Sequence, residues 1–275
     1  MASFRKIKQR YRYSVILLRE LVRTDFKLRY QGSVLGYLWS LLRPLFLFVI
    51  MYLVFVYFLR IGRGVPHWPV ALLLGIVMWS FFTEITNQGL KAIVSKSSLI
   101  RQLNFPKYVI LLAVSFSALI NLCINLVVVA VFMYFNQVPL SWTILLTPVF
   151  ILELYLVALG VAFILSTWYV KFRDINFVWE IVVQAMFYGS AIMFPVSKVL
   201  ELQHGETLSK IMLMNPVAQS IQDARYMAVS HDLPTLYSIS GSLRLALVPV
   251  LLAFIILGIG AYVFRKNSPY FAENV

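Results

Sequence analysis

Six stretches of this sequence are long and almost uninterrupted runs of apolar residues, and they decide what the chain can fold into. They cover about Tyr37–Leu59, Trp68–Gly89, Val109–Phe135, Ile144–Val170, Ile175–Pro195 and Leu243–Phe264. A helical run of about 18 or more apolar residues matches the bilayer core, and a helix satisfies its own backbone hydrogen bonds in lipid. The pattern predicts an all-α membrane protein with six transmembrane helices. One membrane domain, 37–264, follows an N-terminal segment, 1–36, and precedes a tail, 265–275. Charged residues make up 13% of the chain, against about a quarter in a soluble domain, which excludes a water-soluble globule.

The net charge is +13, yet the cations sit in short segments between apolar runs. That distribution follows the positive-inside rule and argues against nucleic acid as a partner. Seventeen Lys and Arg fall in 1–36, 90–108, 171–174 and 265–275, and five fall on the opposite side. Both termini are therefore expected in the cytoplasm, with the protein multi-pass in the cytoplasmic (inner) membrane. The long segment Val196–Gly241, which contains Pro216 and Pro234, is then external. Cys123, the only cysteine, lies inside an apolar run and predicts neither a disulfide nor a thiolate site. Arg19, Glu20, Arg23 and Asp25 interrupt the first apolar stretch, so it is not expected to be a cleavable signal peptide. From about Tyr11 to Tyr30, Val15, Leu18, Leu21, Val22 and Phe26 recur at helical spacing opposite Arg19, Arg23 and Lys27. This is an amphipathic helix, either solvated on the cytoplasmic side or lying among lipid headgroups, and the density of Arg and Lys beside large apolar residues favours the headgroups.

Ionisable side chains inside a membrane are costly and point to function. Arg43 lies early in an outward-running helix and Glu180 early in another, while Glu84 lies late in an inward-running one. At about 1.5 Å per residue all three belong to the inner half of the bilayer, with Glu153 nearer the middle. Arg43 suits an ion pair between spans, an anionic headgroup entering from the cytoplasmic leaflet, or both, because its planar fork donates two parallel hydrogen bonds.

The fifth run gives the sharpest pattern. Helical spacing puts Phe177, Glu180, Gln184, Phe187, Tyr188, Ala191 and Pro195 on one face, with Val182, Met186, Gly189 and Met193 opposite. Lipid has no use for such a polar stripe, so this face should meet a bundle or a cavity. In the first run Tyr37, Leu41, Phe48, Tyr52 and Phe55 also share a face. Aromatic rings beside polar groups suit sugars, although ordinary helix packing produces aromatic stripes too. A GxxxxGKS or GxxxxGKT phosphate loop is absent, so hydrolysis of ATP by that route is not expected. His67, His204 and His231 are too scattered for a metal cluster.

The run RTDFKLRYQGSVLGYLWSLLRPLF at Arg23–Phe46 resembles the ABC-2 type permeases of polysaccharide exporters, which carry O-antigen, teichoic acid and capsular polymers. So do NFPKY at Asn104–Tyr108, KFRDINFVWE at Lys171–Glu180, LMNPVAQSIQDARY at Leu213–Tyr226 and the terminal PYFAENV, five motifs in order across nearly the whole chain. The resemblance implies a homodimer over two copies of a separate ATPase subunit, which would bind ATP and magnesium, with no cofactor in this chain. It implies a lipid-linked polysaccharide substrate and an interface helix at the N-terminal amphipathic segment. It also implies a coupling helix within Lys91–Pro106 that docks on the ATPase, with Lys96, Leu99, Arg101, Leu103 and Phe105 at the contact. Val196–Gly241 would form re-entrant gate helices broken at Asn215–Pro216, and the first and fifth spans would line the path. Rival readings are an ABC-2 exporter of a lipid or drug, and a membrane enzyme acting on lipid-linked sugars. The second would need an acidic cluster, and Asp174, Glu201, Glu206, Asp223 and Asp232 are dispersed.

Overall fold

The computed structural model describes residues 14–25, 27, 35–36, 38–103 and 105–274, and all regular structure among them is helical. Tyr37, Phe26 and Asn104 lie outside the described residues. Helix α1 (residues 14–25) turns Leu17, Leu18, Leu21 and Val22 onto the core and leaves Arg19, Glu20 and Arg23 exposed. Five of the six apolar runs are continuous helices long and apolar enough to cross a membrane. They are α2 (Leu38–Met51), continued by a π-helical segment Tyr52–Phe58, then α3 (Trp68–Ser95) and α5 (Tyr108–Phe135). The others are α6 (Thr147–Lys171), with a 3-10 lead-in Trp142–Leu146, and α12 (Leu243–Asn267). Between α3 and α5 lies the short α4 (Ser97–Gln102); α3 runs on past Gly89, the predicted end of its span, to Ser95.

The predicted fifth span differs. Its helix, α7 (Ile175–Gly189), has 15 residues, about 22 Å at 1.5 Å per residue, short of the roughly 30 Å hydrocarbon core. Ser190–Phe194 are not helical, and Pro195, which has no N–H to give a helix, precedes α8 (Val196–Leu200). The segment expected to be external then folds as α9 (Gly205–Leu213), α10 (Pro216–Ala228) and α11 (Leu236–Ser240). Asn215 caps α10: its side chain accepts a 3.0 Å hydrogen bond from the Val217 N–H, and Pro216 occupies the first turn, where a missing N–H costs nothing. A final turn, α13 (Phe271–Asn274), closes the chain.

Helices α3 and α6 form the centre. In α3, 78% of the apolar window is buried inside the chain; in α2 the share is 11%. Small residues set the closest approaches. A Cβ on Gly260 would sit 2.3 Å from the Gly160 carbonyl oxygen, and one on Gly160 would meet the Leu257 backbone at 2.7 Å. The two glycines thus let α6 and α12 touch backbone to backbone, so Gly160→Val should force them apart. We expect little folded protein from that variant, measured as monodisperse yield in detergent against a Gly258→Val control, whose Cβ would meet nothing within 4 Å.

Pro44 lies inside α2 and removes the N–H that would bond the Ser40 carbonyl. The Asn125 amide of α5 bonds that oxygen instead, at 3.3 Å. Neighbouring Asn121 donates to the Glu84 carboxylate of α3 at 2.6 Å. A polar ladder therefore joins α2, α3 and α5 inside an apolar bundle, where such bonds contribute about 0.6–2 kcal/mol each.

Candidate functional site

Among the helices with a large surface that the rest of the chain does not cover, α2 with its π-helical continuation and α7 carry the stripes singled out in the sequence. Trp179, Val183, Met186 and Phe187 turn the inner side of α7 onto α3, with Trp179 6.3 Å from Phe82 and Phe187 5.6 Å from Trp79, ring centre to ring centre. The other side presents Phe177, Glu180, Gln184 and Tyr188 to the exterior of the chain. Glu180 accepts a 2.8 Å hydrogen bond from Asn176. The structure therefore keeps four of the seven residues of the predicted stripe together and removes three from it. Phe187 lies about 60° round the helix from Gln184 and about 100° from Tyr188 and fills the seam with α3, and Ala191 and Pro195, past the helix end, are buried. Val182, expected on the protected side, is 38% exposed.

The first span shows a similar rearrangement. Phe48, 6% exposed, packs edge-on against Phe132 at 5.4 Å and against Tyr52 at 5.8 Å, so it faces α5 rather than an open surface. Tyr52 and Phe55 are half-buried, and Phe46, Val49, Ile50, Leu53 and Tyr57 form the outer side. Arg43 is exposed, and among the described residues no ion pair joins it to another span.

Where α7 ends, a residue that sequence reasoning counted only among the external cations takes over. Arg225 of α10 is fully buried. Its Nε donates to the Ala71 carbonyl at 2.8 Å, Nη1 to Ala191 at 2.9 Å and Nη2 to Ile192 at 2.8 Å, and its plane lies 5.2 Å from the Trp68 ring. Burial pulls its pKa down to about 9, so it remains charged at neutral pH. On the same helix Asp223 approaches Glu153 of α6, a buried carboxyl whose Oε1 has no hydrogen-bond partner among the described residues. Burial pushes the Asp223 carboxyl up to about 7 from an ordinary 3.8. The raised folded value means that ionised Asp223 opposes folding: the cost is absent below 3.8, grows up to about 7 and is complete above it. Asp223→Asn should therefore raise the melting temperature at about pH 8, and the gain should shrink as pH falls toward about 5.

At the expected cytoplasmic end, the segment around α4 is held from two sides. Lys96, just before α4, makes a 2.6 Å ion pair with Asp25 at the end of α1. Phe271 of α13 is 2% exposed, packs on Phe264 at 5.1 Å, and brings α13 against α4. Leu99 packs against the core, Arg101 and Leu103 are exposed, and Phe105 is buried at 5% exposure.

A family model described as ABC-2 type transporter matches residues 16–229. A Myxococcus xanthus protein named O-antigen export system permease protein RfbA is 26% identical over 272 residues, covering 98% of this chain and 99% of its own. Two Klebsiella pneumoniae proteins of the same name are 29% and 28% identical, each over 98% of both chains.

Proposed function

We propose that this chain, which belongs to the ABC-2 type transporter family, is the permease subunit of an exporter carrying lipid-linked polysaccharide of O-antigen or teichoic-acid type across the cytoplasmic membrane. The observation that carries the reading is the uncovered face of α7: Phe177, Glu180, Gln184 and Tyr188 on a helix too apolar elsewhere to face water. Gln184 and Glu180 suit sugar hydroxyls and the rings suit sugar C–H faces, whereas lipid leaves the polar groups unpaired at about 1–3 kcal/mol each. Relatives named for O-antigen export, similar from end to end, support the substrate class.

In this reading two copies pair so that α7 and α2 face a shared hydrated path. The α7 helix and the non-helical stretch after it make the fifth of six crossings, both termini are cytoplasmic, and α8–α11 form the external gate around Asn215 and Pro216. Arg43 meets the pyrophosphate of the lipid carrier. Two copies of an ATPase subunit bind ATP and magnesium and dock on α4, and this chain holds no cofactor. The purified chain should show no ATPase activity and should co-purify with that subunit; robust hydrolysis by the chain alone would refute the partnership. The test of function is depletion. Lipid-linked polymer should accumulate on the cytoplasmic side and return to the surface with a plasmid copy, whereas unchanged surface polymer would sink the reading.

A further inference from the structure

The broken end of α7 is held by one side chain from another element. After Gly189 the backbone leaves the helix, and Ala191 takes a left-handed φ of +50°, which a non-glycine residue keeps only where its surroundings impose it. The carbonyls of Ala191 and Ile192 have no helical turn beyond them to supply donors. Arg225 supplies both, and a third bond ties the same guanidinium to Ala71, in the first turn of α3. No carboxylate among the described residues pairs with it. Its partners are dipoles and one ring face, so the charge is kept in an apolar interior by a cage of three carbonyl oxygens. The cage has a doorway: a Cβ on Gly75, one turn further along α3, would lie 2.0 Å from Nη2. Arginine suits this place because its fork reaches three diverging acceptors, which a lysine ammonium cannot do from one point.

We propose that Arg225 is the pin that locks the outer end of α7 to α3 and α10, a positioning residue that holds the aromatic and polar face of α7 in place at the mouth of the path. With the pin seated, the break at 190–194, α10 and the start of α3 move as one body. The mouth then opens by a displacement of that body rather than by fraying of α7. The placement rests on the export reading for its purpose but not for its geometry.

The test uses the full-length chain with its ATPase partner in lipid nanodiscs, Cys123 replaced by Ala, and single cysteines read by a membrane-impermeant maleimide. Ile192→Cys, at a position fully buried in the chain, should label slowly. Adding Arg225→Lys, or separately Gly75→Ala, should speed labelling by at least about tenfold, the change expected from losing one hydrogen bond to a charged group. The two together should do no more than the larger alone, because they break the same bonds. Ala158→Cys, buried in α6, should stay protected in every background. Unchanged labelling at 192, accelerations that multiply, or equal exposure of 158 would each overturn the pin; the last would show global loosening. If Arg225→Lys is not recovered from membranes, Gly75→Ala decides alone. None of these readouts requires polymer, so the pin and the export reading fail separately. Polymer export should fall in the same variants while ATP hydrolysis continues.

Discussion

Aspartate in place of Leu103 should cut polymer export by about tenfold or more while the chain reaches the membrane at its normal level, and aspartate in place of Phe105 should remove the chain itself. The two residues sit two positions apart after α4 and read alike in sequence. Leu103 is 38% exposed and free to meet a docked ATPase; Phe105 is 5% exposed and part of the chain's own core. A carboxylate at 105 would be buried without a partner, at several kcal/mol. Membrane abundance separates the two outcomes, and ATPase activity of the purified complex shows whether hydrolysis has been uncoupled from transport. Normal export by Leu103→Asp would place the contact elsewhere.

The second large effect concerns α7. In a Cys123→Ala background, cysteines at 177, 184 and 188 should react with a water-soluble thiol reagent, while those at 179, 183 and 187 should not. Tyr188→Ala should slow export by about tenfold, as expected for loss of an aromatic anchor, with assembly unchanged. Phe187→Ala should instead lower folded yield, since its ring packs against Trp79. The reverse labelling pattern would put the polar face against a packed helix and remove the path.

Much of this architecture was legible from the runs of apolar residues, because the bilayer imposes a length on every helix that crosses it. The limits of what could be read are physical as well. Periodicity put Phe187 with Gln184 and Tyr188, but a stripe drawn at helical spacing is wide, and the register of α7 on α3 decides which edge is covered. Phe48 was misplaced for the same reason, its neighbour Phe132 being 84 positions away. Asn121 and Asn125, one turn apart in an apolar run, carried a usable signal: amides at that spacing in lipid are the usual fastening between spans. Arg225 carried less. Nothing in PVAQSIQDARYMA says that its cation lies against Gly75, some 150 residues earlier, and the charge was naturally read as a marker of sidedness.

The ion pair between Lys96 and Asp25 makes α1 and the segment at α4 thermodynamic partners. Any ligand that binds α4 more tightly with the pair closed must, by reciprocity, favour the placement of α1 that closes it, by the same factor. Headgroups that hold α1 in that placement must in turn tighten binding at α4. With both side chains partly exposed, the pair transmits no more than about 1 kcal/mol, roughly a fivefold change in affinity at low salt and less as salt rises. On the proposed reading, with headgroups around α1 and an ATPase docked on α4, the pair would make lipid composition a modest, salt-sensitive control on that docking.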